Sequence, residues 1–336
     1  MVTGSDVTLR RVIEGDMFGV LEEVAVKAVA AGGLAAMTGY RGAWKPQAAL
    51  EAGKNPSTYA DLYSTVSIIR TLNDLLSPVA SQLGCGLTYL AEESSDSEKI
   101  KRLRELLPSS VHHGLHCPED FFQNLGLRVI LDAIDGTGNF TRGLPLFCSA
   151  LAILVDAEVR VSAVYDPIHH VVYSATLRGP SECPEETAEA WMWQVATGVR
   201  TRFPELSEAS VLDHEAIGVH FSRTRKDKLC EFLRPNGDTP GMLERLALAS
   251  SGVYALNSGI LAMTEVARGS LGAFVNTITN PWDVAAGEVL VRAVGGRVTD
   301  FAGSSISYYP KCGPTSVLAA GRGLYDHVLR LVTSGA

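Results

Sequence analysis

The stretch LDAIDGTGNF, residues 131–140, follows the apolar run LRVI at 127–130. Residues 127–131 read as a buried strand, short and continuously apolar. Two aspartates, Asp132 and Asp135, stand at its end. Carboxylates packed so close both ionise only when a cation or a shared proton relieves their repulsion. Gly136-Thr137-Gly138 comes next. A short helix starting there would turn its free N–H groups towards an anion, and glycine lets a phosphate approach the backbone closely. Thr137 could orient an attacking water. Taken by itself, the tripeptide is equally an ordinary glycine turn.

Two more acidic sites share the design. LTYLAEESS (87–95) reads as a short strand ending in Glu92 and Glu93, and Asp283 opens a helix after NPW. Alone, Asp283 is an ordinary helix cap. All these acids lie where strands or helices terminate, which is where α/β folds place their chemistry. Hard oxygen donors with no Cys or His pattern beside them point to Mg²⁺ or Mn²⁺ rather than zinc.

The rest of the chain sets the bounds. Its 336 residues are 46% hydrophobic and 20% charged, the composition of a globular protein with ample core. The formal charge is −8, so no basic surface exists to release counterions from nucleic acid or an anionic membrane. A phosphorylated small molecule remains a suitable partner if cations supply the positive charge. The start, MVTGSDVTLRRV, has no signal-peptide core, and the run LFCSALAILV (146–155) is about half the length of a bilayer crossing. The six cysteines have no paired spacing and read as free thiols of a cytoplasmic protein.

Residues 7–31 carry a helical apolar spacing that stops at Gly32-Gly33, and 34–56 reads as a mobile connection. Residues 61–83 form a second helix. Strands are expected at 146–155, on either side of Asp166-Pro167, and at 216–221, 271–276, 296–301 and 316–320. This predicts an α/β protein with an N-terminal metal-binding half over 1–180, a boundary or insertion over 181–212 and a C-terminal half over 213–336. His112, His113, His116, His169 and His170 lack a ligand set at zinc spacing and read as solvated. Trp191 and Trp193 read as packing residues, and Arg223 and Arg225 as a solvated helix start.

AEES (91–94), LDAIDGTGNF (131–140) and NPWDVAAGEVLVRAVGGRV (280–298), in that order, resemble the inositol monophosphatase family. That family lies within a superfamily of Mg²⁺-dependent, lithium-sensitive sugar phosphatases, and the resemblance covers most of the chain. It implies a layered α-β-α-β-α sandwich, as in fructose-1,6-bisphosphatase, and a phosphomonoesterase acting on a small phosphorylated polyol or sugar. It also implies roles. Glu92, Asp132 and the carbonyl of Ile134 would hold one Mg²⁺, and Asp132, Asp135 and Asp283 a second. Glu92 would help to hold a third, and Mn²⁺ could substitute. Asp61 and Thr137 would activate the attacking water, and the amides of Gly136 and Thr137 would seat the phosphate. A homodimer and lithium inhibition are implied likewise.

The match departs from the family at one substrate position. Seven residues before Asp283 the family usually carries a glutamate that meets inositol hydroxyls; here the residue is Asn276. An amide offers no charged acceptor, which puts inositol phosphate in doubt while leaving the metal chemistry intact. Asn257, Ser258 and Gly259 match the family's second substrate-contact segment, yet Asn-Ser before an apolar helix is an equally good N-cap. The rival readings are a fructose-1,6-bisphosphatase, a 3′-phosphoadenosine nucleotidase, and a catalytically silent sugar-phosphate-binding protein.

Overall fold

A computed structural model describes residues 16–40, 59–121, 126–155, 158–178, 188–208, 210–220, 240–308 and 313–334. In chain order the elements are α1 (Met17–Met37), α2 (Tyr59–Gln82), β1 (Leu87–Ala91), α3 (Ser97–Leu106), α4 (Pro118–Phe121), β2 (Leu127–Asp135), α5 (Thr137–Arg142), β3 (Cys148–Val155), β4 (Glu158–Asp166), β5 (Val171–Leu177), β6 (Ala188–Gln194) and β7 (Arg200–Arg202). They continue with β8 (Ala216–His220), α6 (Met242–Ala249), β9 (Gly252–Tyr254), α7 (Gly259–Arg268), β10 (Ala273–Thr279), α8 (Ala285–Ala293), β11 (Arg297–Thr299), β12 (Thr315–Ala320) and α9 (Arg322–Thr333).

Strands β1 to β7 form one sheet in sequence order, and the second runs β11-β12-β10-β8-β9. In the first sheet β1 and β2 are parallel and the other pairs antiparallel. In the second, β8 lies parallel to both β9 and β10. Helices α1 and α2 cover one face of the first sheet, and their apolar stripes share a core with Tyr89, Val129, Leu131 and Ile153. Helices α7 and α8 fill the space between the sheets. Helices α6 and α9 close the outer face of the second. The layers therefore run α-β-α-β-α. The chain passes from the first sheet to the second between Arg202 and Ala216.

The first helix ends later than the sequence reading has it. Helix α1 does not stop at Gly32-Gly33 but runs on to Met37. Both glycines are buried contact points: a Cβ on Gly32 would lie 2.5 Å from Ile68 of α2, and one on Gly33 2.3 Å from Tyr165 of β4. They serve close packing of backbone against neighbours rather than helix termination. Residues 34–37 are therefore helical, and most of the connection expected over 34–56 lies outside the described residues.

The remaining expectations fall as follows. Trp191 and Trp193 flank the Arg200 guanidinium at 4.0 and 4.5 Å, so they pack on a cation at the sheet edge. His169 pairs with Asp166 in an exposed turn, and His112 bonds the Leu107 carbonyl. Arg223 and Arg225 lie outside the described residues. Cys85, Cys117 and Cys148 are free thiols, and the other cysteines are not described. Among the described residues no helix is long and apolar enough to cross a membrane.

Candidate metal centre and active site

Strand β2 is buried along its whole length, from Leu127 to Asp135, so the two aspartates belong to the strand rather than follow it. Residues three apart on a regular strand face opposite sides of the sheet. Here the register against β3 shifts: Asp132 stands opposite Ala150 and Asp135 opposite Cys148, three steps on β2 for two on β3. This β-bulge absorbs the extra residue and turns both carboxylates to the same side. Asp132 Oδ1 accepts the Ile134 N–H at 3.0 Å within the bulge.

The third acid arrives from the second sheet. After β10 a 3-10 turn, Pro281–Asp283, ends on Asp283 and leads into α8. Asp283 Oδ2 accepts from the Asn280 N–H at 3.1 Å and the Thr279 hydroxyl at 3.2 Å, which fixes it at the end of the strand. Carboxylate oxygens of Asp132, Asp135 and Asp283 lie within 4.8 Å of one another.

Glu92 stands beside this trio. Parallel pairing of Ala91 with Leu131 places the next residue of each strand, Glu92 and Asp132, side by side at the sheet end. Glu93, its neighbour in sequence, is 1% exposed and accepts the Thr65 hydroxyl at 2.9 Å, a structural bond.

The electrostatics follow from this crowding. Burial, then Glu93, Asp283 and Asp61, push the Glu92 carboxyl well above the usual range. Burial, then Glu92, Asp135 and Asp283, do the same to Asp132. Asp283 is raised to about 6 by burial and Asp135, against the opposing pull of Asn280, His220 and Thr279. Asp135 is raised by burial, although Ser258 and the amides of Gly259, Ile260 and Leu261 counteract it. Such a cluster is stable in its charged form only around a cation. All its donors are hard oxygens, which fits a divalent ion of the magnesium type.

Asp135 also ties the site to the middle helical layer. Its Oδ2 accepts the Ser258 hydroxyl and the Ile260 N–H, at 2.5 and 2.8 Å. Ser258 is the N-cap of α7. Asn257 before it is exposed and left-handed, with φ 53°. The two sheets are thus joined at the carboxylates themselves.

The turn after Asp135 is built for close approach. Gly136 has φ 90°, and a Cβ there would lie 2.8 Å from the Leu146 carbonyl, so only glycine fits. It caps α5. The Thr137 hydroxyl is 2.9 Å from the Ile134 carbonyl and 3.4 Å from Asp61 Oδ1. Asp61, 1% exposed, reaches it from the first turn of α2. Asn139 donates to the Leu146 and Leu256 carbonyls, both at 2.7 Å, and so locks this turn to the approach to α7.

The geometry therefore gathers Asp61, Glu92, Asp132, Ile134, Asp135, Gly136, Thr137 and Asp283 at one end of the first sheet, with Ser258 and Gly259 behind Asp135. Asn276 lies in β10, 4% exposed, and its Oδ1 accepts the Ile278 N–H at 3.2 Å. Sequence reasoning missed His220, at the end of β8, which exchanges electrostatic influence with Asp283. It also missed Thr279 and Asn139. No local pattern marks these residues; their roles come from contacts across the fold.

Residues 21–334 match the profile of the inositol monophosphatase family. A fructose-1,6-bisphosphatase/inositol-1-monophosphatase of Thermotoga maritima is 28% identical over 234 residues, covering 69% of this chain and 77% of the relative. An inositol monophosphatase of Dictyostelium discoideum is 25% identical over 70% of this chain and 80% of its own length. A Nus factor SuhB of Xylella fastidiosa is 26% identical over 74% and 83%. Among solved structures, an inositol monophosphatase of Thermotoga maritima superimposes with a TM-score of 0.63 at 20% identity, covering 93% of this chain and 96% of that one. A suhB protein of Bartonella henselae gives 0.65 at 18% identity, with 94% and 98% covered. These two likenesses concern the fold.

Proposed function

The chain belongs to the inositol monophosphatase family and is a phosphoric monoester hydrolase, and from that premise we propose that it is a Mg²⁺-dependent enzyme releasing phosphate from a small phosphorylated polyol or sugar. The observation that carries this reading is the convergence of Asp132, Asp135 and Asp283 within 4.8 Å, beside Glu92 and the Gly136-Thr137 turn.

In this reading Glu92, Asp132, Asp135, Asp283 and the Ile134 carbonyl hold two or three Mg²⁺, with Mn²⁺ able to replace them. When bound, the ions supply Lewis-acid charge for the phosphoryl oxygens and lower the pKa of water. The residues of the chain do the rest. Asp61 and Thr137 form a hydrogen-bonded pair that positions the attacking water and takes up its proton. The N–H groups of Gly136 and Thr137 orient the phosphate, whose transfer depends on positioning and charge neutralisation more than on covalent chemistry. Lithium inhibition, a homodimer and a cytoplasmic location complete the reading.

The test is release of inorganic phosphate from a panel of inositol, sugar and nucleotide phosphates, with Mg²⁺ and with EDTA. Turnover is expected only with the divalent ion. Undiminished turnover in EDTA would overturn the reading, and tight binding without turnover would favour a silent sugar-phosphate-binding protein. The dual name of the Thermotoga relative keeps a sugar bisphosphate in the panel as the second candidate substrate.

A further inference from the structure

A cavity of about 190 Å³ opens between the C-terminal half of α2, the start of β1 and the loop that follows α3. Asp61 lies in the first turn of α2 and Glu92 follows the end of β1, so both elements meet the cavity with the ends they turn away from the metal centre. Ser77 stands about 25 Å along the helix from Asp61. Asn73, Ser77 and Ser81 of α2 line the cavity, with Gly86, Tyr89 and Ser110. Among the described residues, no charged side chain lines it.

Three observations mark it as a polar site with groups to spare. Tyr89 is 1% exposed, and its phenol oxygen has no hydrogen-bond partner among the described residues. Buried polar atoms are nearly always paired, so a lone one beside a cavity calls for an explanation. Burial, then Asp74, push the phenol's pKa up, which keeps its O–H available as a donor. Asp74 adjoins Asn73 in α2, so the phenol faces the stretch of helix that lines the cavity. The Ser77 hydroxyl donates to Asn73 Oδ1 at 2.9 Å, which holds both side chains while the Ser77 oxygen still accepts and the Asn73 amide still donates. A Cβ on Gly86 would meet nothing within 4 Å, so the space continues to that residue.

We propose that this cavity is a second binding site, for a small uncharged polyol. A cavity of about 150 Å³ already holds a six-membered ring. Hydroxyl, phenol and amide groups both donate to and accept from hydroxyls. An anion would lose its hydration there with no cation to replace it. The site therefore takes a free polyol and refuses its phosphate ester. This inference stands apart from the phosphatase reading, because the neutrality of the lining alone sets the class of ligand.

The test titrates the Mg²⁺-loaded protein with myo-inositol, sorbitol and gluconate, following backbone amides by ¹H–¹⁵N spectroscopy. Sorbitol and gluconate have the same chain length and differ in a hydroxymethyl group against a carboxylate. Both neutral polyols should shift the amides of Ser77, Ser81 and Ser110, with a Kd of about 1 mM or below. Gluconate should bind there at least about tenfold more weakly. Gly86→Leu should fill the space and abolish these shifts, and Ser81→Leu, at an exposed position, serves if that variant does not fold. Tyr89→Phe, which keeps the shape, should weaken binding about 2- to 10-fold. Shifts confined to the metal centre, equal binding of gluconate, or polyol binding untouched by the filling variants would overturn the inference. Absence of any shift well above about 1 mM would show that water alone fills the cavity, and would overturn it too. None of these results bears on phosphate release.

Discussion

The Ser258 hydroxyl donates to Asp135 Oδ2 at 2.5 Å, across 123 residues of sequence. This bond joins the bulged end of β2 to the cap of α7, and therefore one half of the acidic cluster to the helical layer that carries the other sheet. Ser258→Ala removes both the bond to Asp135 and the cap of α7. The expected cost is about 1–2 kcal/mol of stability. Mg²⁺ affinity should fall about 10- to 100-fold, as when a group orienting a metal ligand is lost. Calorimetric titration with Mg²⁺ and thermal unfolding check the two effects separately.

Gly136→Ala meets two obstacles. The backbone is left-handed there, and a Cβ would press on the Leu146 carbonyl at 2.8 Å. The expected penalty is about 1–3 kcal/mol, and the displaced turn should lower phosphate release far more than the change in stability explains. Unchanged kcat/KM in a folded variant would show that the turn does not seat the phosphate.

Without metal, the carboxyl cluster should make the protein less stable as pH rises. Asp283 is raised from the ordinary 3.8 to about 6, and Glu92 and Asp132 are raised well above their ordinary values. A carboxyl whose folded pKa exceeds its unfolded one binds its proton more tightly in the folded state. Its stabilising contribution is present at low pH and disappears as pH climbs from about 4 through about 6 for Asp283, and further up for its partners. Thermal unfolding in EDTA should therefore show a Tm that declines between pH 5 and pH 8 relative to the same scan in Mg²⁺. Parallel pH profiles under the two conditions would contradict this.

Far from the cluster, Arg200 is predicted to matter for stability alone. It donates to both oxygens of Glu22, at 2.9 Å each, and lies between Trp191 and Trp193. Glu22 is 4% exposed, so Arg200→Ala would leave a buried carboxylate with only the Ser174 hydroxyl among the partners shown. The expected loss is about 2–4 kcal/mol, read as a lower denaturant midpoint. Phosphate release by the folded fraction should stay at the native level.

Much of this was legible in the sequence because several motifs are local. The strand before Asp132, the glutamates after LTYLA, and the Asn-Pro-Trp-Asp turn each carry their own pattern; the alternation of strands and helices points to an α/β protein, and the family resemblance to its layering. What the sequence hid depends on contacts between distant segments. Gly32 and Gly33 have the pattern of a helix end, and only Ile68 and Tyr165 pressed against them explain why the helix continues. The bulge between Asp132 and Asp135 is a relationship to β3, invisible in β2 alone. Ser258 reads as a cap, and becomes a partner of Asp135 only through folding. His220 has no flanking signal, since it comes near Asp283 only because β8 lies beside β10.

The account stands on three aspartates from two sheets sharing divalent ions. The most direct measurement is an anomalous difference map from crystals soaked in Mn²⁺. It should show density enclosed by Asp132, Asp135 and Asp283, with Glu92 alongside, and lose that density in Asp132→Asn. Manganese bound elsewhere on the protein, with the carboxylates empty at saturating ion, would contradict it.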